Sequence, residues 1–239
     1  DVVVAASRSC GISRWKLHIE VSITCLLVAS QRSRRSGTPL RVGSGILFKL
    51  HSMKNRIVFV FLFAFIQSAV SQNQAGTVVT RLVQSVSLQN KSGENPNRRI
   101  SVYLPPGYEQ SSQRYPVIYY LHGYTGTDTI VPRMKSILDQ GISANKIRPF
   151  LLVIADHLTL YGGSFYSNSS LTGNWSDFEA RELVAYMDTH FKTIANSNAR
   201  GIGGHSMGGY GALKIAMLYP EVFSSVYALS PGLLAFVKE

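Results

Sequence analysis

Residues 199–218 read Ala199-Arg200-Gly201-Ile202-Gly203-Gly204-His205-Ser206-Met207-Gly208-Gly209-Tyr210-Gly211-Ala212-Leu213-Lys214-Ile215-Ala216-Met217-Leu218. A strand pattern runs from Ala199 to Gly204, a helix pattern runs from Met207 to Leu218, and Tyr219-Pro220 stops it. Between them sits G-x-S-x-G, a pattern with chemical content when a strand precedes it and a helix follows. A sharp strand-to-helix turn leaves no room for side chains two residues either side of the serine, and Gly204 and Gly208 supply that room. Three glycines at 208, 209 and 211 each cost a helix interior about 1 kcal/mol relative to alanine. A helix chosen for stability alone would avoid them, which marks Ser206 as a candidate nucleophile.

Working outward, strands and helices alternate. Val78–Leu88 and Arg99–Leu104 read as strands, the second stopped by Pro105-Pro106-Gly107-Tyr108. Pro116–Leu121 and Phe150–Ala155 are continuous apolar runs, the pattern of strands covered on both faces. Met134–Gln140 reads as helical. Trp175–Phe191 reads as an amphipathic helix with Phe178, Leu183, Tyr186 and Met187 turned inward. Val222–Leu229 reads as the next strand. Alternation of this kind predicts an α/β fold, a mostly parallel sheet with helices on both faces.

His122-Gly123-Tyr124-Thr125-Gly126 follows the buried strand ending at Leu121, at the sheet edge where open α/β folds place ligands. Acyl transfer needs two preorganised donors for the developing oxyanion. The expected pair is the backbone N–H of Met207, next to the serine, and that of Tyr124 in the early loop. His122 suits a structural bond to backbone, with general base as the alternative. Asp156 and His157 follow another strand to the same rim and read as pocket wall, loop anchor or a substitute base. Tyr166 lies in the loop Leu158–Gly173, together with Tyr161 and Phe165, and these rings, with Trp175, suit either substrate stacking or core packing. His122, Asp156, His157 and Tyr166 are the candidate substrate contacts.

The strings Arg99–Tyr108, Tyr115–Gly123, Asn174–Phe178, Arg181–Leu183 and Gly204–Leu213 resemble the esterase family of α/β hydrolases that takes in feruloyl and other carbohydrate esterases, S-formylglutathione hydrolase (esterase D) and the mycolyltransferases. The resemblance spans roughly Val78 to Pro231. It implies an α/β-hydrolase fold, ester hydrolysis through an acyl-serine intermediate, a small-molecule or glycan ester substrate and no metal or organic cofactor. It carries Ser206 over as nucleophile and the Tyr124 and Met207 amides as oxyanion donors.

One part of the pattern is not met. The triad runs serine, acid, histidine along this fold, yet after Ser206 the acidic residues are Glu221 and Glu239 and there is no histidine. The expectation is that the triad acid and histidine are absent from this chain, that residues 72–239 form a C-terminally truncated esterase domain, and that Val222–Leu229 is left as an unpaired edge in an inactive, poorly soluble fragment. The competing expectation is a non-catalytic pseudoesterase that binds acylated glycans.

The net charge of +11 is concentrated at the front: residues 1–56 hold ten Lys or Arg against Asp1 and Glu20. The remainder is close to balance and shows no basic stripe with interleaved aromatics, so no nucleic-acid partner is expected. Both cysteines, Cys10 and Cys25, also lie in the front segment, which leaves the later chain without a disulfide framework or a thiolate metal site. Met53-Lys54-Asn55-Arg56 followed by Ile57–Ile66 and small residues at Ala69 and Ser71 has the plan of a signal peptide. Its apolar core is shorter than the roughly 20 residues of a membrane span. Residues 1–52 are expected to be a non-native upstream segment, residues 53–71 a cleaved signal, and the product secreted or periplasmic with no stable membrane association. N-terminal sequencing of the naturally exported protein should read from Gln72; recovery of residues 1–52 in the mature protein would overturn this.

Overall fold

The computed structural model describes residues 3–7, 16–20 and 75–232. The signal segment expected at 53–71 lies outside the described residues. Ten strands and three main helices are described. In chain order they are β1 (Val3–Ser7), β2 (Lys16–Glu20), β3 (Thr77–Gln84), β4 (Asn97–Leu104), β5 (Val117–Leu121), α1 (Val131–Ser143), β6 (Leu151–Ala155), the two-residue strands β7 (Asn168–Ser169) and β8 (Gly173–Asn174), α2 (residues 175–190), β9 (Arg200–His205), α3 (Met207–Leu218) and β10 (Ser225–Leu229). A π-helical stretch, Phe178–Leu183, interrupts α2.

Eight strands form one sheet in the order β2-β1-β10-β9-β5-β6-β4-β3. The four central strands, β10, β9, β5 and β6, run parallel to one another. β4 and β3 add antiparallel pairs on one side. This is the mixed, mostly parallel sheet that the alternating pattern predicts. β6 is buried at every position, as its uninterrupted apolar run requires.

β5 departs from that expectation, because Ile118 is 36 % exposed and Tyr120 only half-buried. The reason is the unequal cover on the two faces. Val117, Tyr119 and Leu121 share the larger core with Trp175, Phe178, Leu183 and Met187 of α2 and Ala212 and Ile215 of α3. The opposite face carries a smaller core of Tyr103, Val131, Leu152 and Ile154, with Met134, Leu138 and Ile142 of α1 packed against it. Each fully buried Phe or Leu in such a core contributes about 1.5–3 kcal/mol. In α2, Tyr186 is half-buried where Phe178, Leu183 and Met187 are fully inside.

The expected unpaired edge at β10 is corrected. β1 pairs with β10 antiparallel, from Val3 opposite Leu229 to Ser7 opposite Ser225, and β2 pairs with β1 in turn. Exposed edge N–H and C=O groups are a template for any available strand, and the Val3-Val4 stretch has the β-branched character to fill it.

Tyr119 sits at the middle of the larger core, edge-on to Phe223 with ring centroids 5.5 Å apart. Its hydroxyl is buried with no hydrogen-bond partner among the described residues, and burial pushes its pKa well up. A buried polar atom left unpaired costs about 1–3 kcal/mol. Tyr119→Phe should therefore raise stability by about 1 kcal/mol, read from urea unfolding midpoints; a loss of stability would mean that the hydroxyl is satisfied in solution.

Candidate active site

β9 delivers Ser206 to the carboxyl end of the sheet, between β5 and β10, and α3 begins at the next residue. Ser206 has φ 56° and ψ −118°, a conformation that costs a non-glycine residue about 1–3 kcal/mol and persists only where its surroundings fix it. Three hydrogen bonds do so. The Ser206 N–H donates to the Leu229 carbonyl at 3.0 Å, and its carbonyl accepts from the amides of Tyr210 and Gly232, each at 3.0 Å. The first turn of α3 lies so close to the end of β5 that a Cβ on Gly208 would overlap the Leu121 carbonyl oxygen. The serine side chain is half-exposed at the positive end of a 12-residue helix.

The loop after β5 runs beside it. A Cβ built on Gly123 would stand 3.7 Å from Ser206 Cβ. Thr125 is left-handed, φ 59°; its amide donates to the Gly162 carbonyl at 2.8 Å, and the Gly126 amide donates to the Gly123 carbonyl at 3.0 Å. The amides of Tyr124 and Met207 donate to no described residue. Two uncommitted donors thus flank the serine, an arrangement able to hold an oxyanion.

His122, His157 and Tyr166 are the sequence candidates that the structure moves. All three are buried, with exposures of 2 %, 0 % and 0 %, so none lines a pocket for substrate. The His157 amide donates to His122 Nε2 at 2.9 Å. An amide cannot accept, so the His122 proton is on Nδ1, which donates to the Gly123 carbonyl at 2.8 Å. Burial, reinforced by nearby His157, lowers the His122 pKa to about 4. The Tyr166 hydroxyl donates to the His122 carbonyl at 2.9 Å. Of the four predicted contacts Asp156 alone is partly exposed, and its carboxylate accepts from the Leu158 amide at 3.0 Å. Trp175 is core, whereas Tyr161 is 60 % and Tyr124 53 % exposed beside the serine loop.

Beneath this layer the His157 ring faces Glu179 of the π-helical stretch, Nε2 to Oε2 at 2.8 Å, both side chains 1 % exposed. Its Nδ1 meets Ser164 Oγ at 3.2 Å. Both His157 nitrogens are therefore occupied, which removes it as a base for Ser206. Sequence reasoning passed over Glu179, although its place four residues from both Trp175 and Leu183 sets a carboxyl on the apolar face of α2. It also passed over the buried pair Glu94–Arg98, 3.1 Å apart, with Arg98 Cζ 4.5 Å over the Trp175 ring. Ordinary-looking charges in a polar stretch gave no sign of burial.

Burial raises the Glu179 carboxyl to about 8 and lowers the His157 imidazole to about 3, so at neutral pH a carboxylic acid donates to a neutral imidazole. A raised carboxyl stabilises the fold fully below its ordinary 4.5, and that stability is lost as pH climbs through about 8. Above pH 6.5 the imidazole is largely neutral whether folded or unfolded. From pH 6.5 to beyond 8 the parent should therefore lose stability relative to Glu179→Gln, whose amide donates to the same nitrogen with no proton to give up. Urea unfolding across that range checks it; a parent whose stability stays level with the variant's would mean that the pair holds no proton there.

The family model described as "Putative esterase" matches residues 93–235. An esterase of Mycobacterium tuberculosis is 37% identical over 139 residues, 56% of this chain and 28% of its own length. An endo-1,4-beta-xylanase/feruloyl esterase of Xylanibacter ruminicola is 34% identical over 142 residues, 55% of this chain and 19% of its own. S-formylglutathione hydrolase of Arabidopsis thaliana is 32% identical over 145 residues, 55% of this chain and 50% of its own. Among solved structures, a ferulic acid esterase superposes with a TM-score of 0.59 at 26% identity, covering 67% of this chain and 59% of that one. An S-formylglutathione hydrolase from Agrobacterium tumefaciens gives 0.50 at 27% identity, with 64% and 58% covered. The fold is the α/β-hydrolase fold of these enzymes, this chain spans half or less of the three curated relatives, and it belongs to the esterase family whose model its residues 93–235 match.

Proposed function

We propose that this chain carries the nucleophile-bearing core of a secreted serine esterase, acting on carboxylic esters in which an acyl group is joined to a carbohydrate. The observation that carries the reading is the strained turn at Ser206, φ 56°, held by three backbone hydrogen bonds beside two unspent amides. Strain maintained at one half-exposed serine is the mark of a nucleophile elbow. The carbohydrate class is supported by the xylanase/feruloyl esterase relative, and export by the signal-like segment at Met53–Ser71.

Ser206 Oγ attacks the ester carbonyl carbon while a base takes its proton. The carbonyl π pair moves onto oxygen, and the Tyr124 and Met207 amides hold that oxyanion. Collapse expels the alcohol, which takes up the proton, and leaves the acyl-serine. Water then attacks the acyl carbon as a base takes its proton, and the same two amides stabilise the second oxyanion. Collapse breaks the bond to Ser206 Oγ, which takes up the proton as the acid leaves. Loss of one such donor costs about 100- to 1000-fold in rate.

His122 and His157 are both committed to other partners, so the 239-residue chain should react slowly with a fluorophosphonate probe, and imidazole added as an external base should accelerate the reaction. Both rates should vanish in Ser206→Ala. Labelling that survives Ser206→Ala would overturn the assignment, and fast labelling without imidazole would show that a residue of this chain already serves as base.

A further inference from the structure

The loop following β6 does more than cover the site. The Thr125 amide, in the left-handed residue beyond Tyr124, donates to the Gly162 carbonyl at 2.8 Å. The Tyr124 hydroxyl donates to the Tyr161 carbonyl at 2.9 Å. On the other side, Gly163 lies so close to Met207 that an added Cβ would overlap its sulfur, and one on Gly162 would come within 2.5 Å of the Tyr124 hydroxyl. Three consecutive residues, 161–163, thus touch both of the residues whose amides flank Ser206.

The loop is itself anchored at several points. Glu94 Oε1 accepts from the Leu160 amide at 2.8 Å, and Arg98 Nη1 donates to the Leu158 carbonyl at 3.0 Å. Thr159 Oγ1 donates to the Gly163 carbonyl at 3.1 Å, the Gly162 amide to the Thr159 carbonyl at 2.9 Å, and the Ser164 amide to the His157 carbonyl at 3.1 Å. Glu94 and Arg98 are 9 % and 7 % exposed, so the anchor is part of the protein interior.

We propose that residues 158–164 form a strap that sets the positions of both oxyanion donors, with Gly163 as the positioning residue on the Met207 side and the Gly162 carbonyl on the Tyr124 side. The inference rests on Ser206 and these two amides having the roles proposed above. The glycines follow from it. Met207 is 2 % exposed, so its side chain has little space in which to retreat, and a methyl at 163 displaces either the strap or the first turn of α3. A displacement of about 1 Å at a reacting centre is enough for a 100-fold loss.

The test uses the 239-residue chain, a fluorophosphonate probe and a fixed imidazole concentration. In the reaction Ser206 Oγ bonds to phosphorus, fluoride leaves with the P–F pair, and imidazole takes the serine proton. Gly163→Ala should lower the limiting labelling rate about 10-fold or more while the half-saturating probe concentration stays within about twofold. Amide exchange at Thr125 should accelerate in the same variant. Gly163→Ala with Met207→Ala removes the sulfur and keeps the backbone amide, so both readings should return most of the way to the parent. A strap that only packed would leave the limiting labelling rate of Gly163→Ala at the parent value.

Labelling of Gly163→Ala at the parent rate, or no recovery in the double variant, overturns the proposal. If Gly163→Ala fails to fold, Tyr124→Phe, which deletes only the bond to the Tyr161 carbonyl, should still slow the limiting rate about threefold, and an unchanged rate overturns it. If the parent shows no Ser206-dependent labelling, the nucleophile assignment fails by itself. Thr125 exchange then decides the strap: faster in Gly163→Ala and restored in the double variant supports it, and no change overturns it.

Discussion

The close approach of α3 to the end of β5 is the constraint from which the rest of the site follows. β9 and β5 are neighbours, with Leu121 opposite Gly204, and the chain must reverse from β9 into α3 directly above that pair. The reversal fits because no side chain stands at 204 or 208, where a Cβ would meet backbone atoms of residues 121, 122 and 208. The same geometry forces Ser206 into its left-handed conformation. It also brings the loop that leaves β5 alongside the serine, so one steric condition places both a candidate nucleophile and its candidate donors. Glycines that weaken α3 as a helix are what allow it to start where it does.

Irregular backbone next to a sheet has polar groups that no ladder satisfies, and each needs a partner when buried. Here side chains take that part. His122 spends both ring nitrogens on backbone, one on each side, and so ties the loop after β5 to the loop after β6. Glu94 and Arg98 do the same for residues 158 and 160. Ser176 Oγ donates to the Tyr166 carbonyl at 2.6 Å, where φ is 52°. The cost of burying these groups is offset by the loop carbonyls and amides that they satisfy. The result is a layer of titratable residues that resembles a catalytic cluster in composition and acts as scaffold in its bonding.

Periodicity and glycine placement made most of the fold legible. β6, α3 and the turn between β9 and α3 were readable because each is defined by its own residues: a run of apolar positions, a helical stripe, a spacing of glycines. What could not be read depends on distant segments meeting. Nothing local shows that Val3–Ser7 lies along β10. Nor does anything local separate a tyrosine at a pocket mouth from one in the core, so Tyr161 and Tyr166 looked alike although one is 60 % exposed and the other is fully buried. His122 and His157 were singled out for being histidines near the right strand ends. The backbone-bonding role read for His122 and the loop-anchoring role read for His157 are what their bonds show, whereas substrate contact is excluded by a burial that only the assembled loops create.

The neutrality of His122 is a requirement of this design. Its Nε2 accepts from the His157 amide, and a protonated ring has no lone pair with which to accept. An imidazole titrating at its ordinary 6.5 would be half charged in mildly acidic surroundings, and that bond would be lost in the charged half of the molecules. Burial, with His157 alongside, brings the transition down to about 4, so the loop beside Ser206 keeps its tie throughout the range in which an unperturbed histidine could still act as a base. An imidazole held neutral in this way is well suited to fixing a loop and poorly suited to taking a proton from serine. Positioning and proton transfer therefore fall to different groups, and the buried half of the site is built entirely for the first.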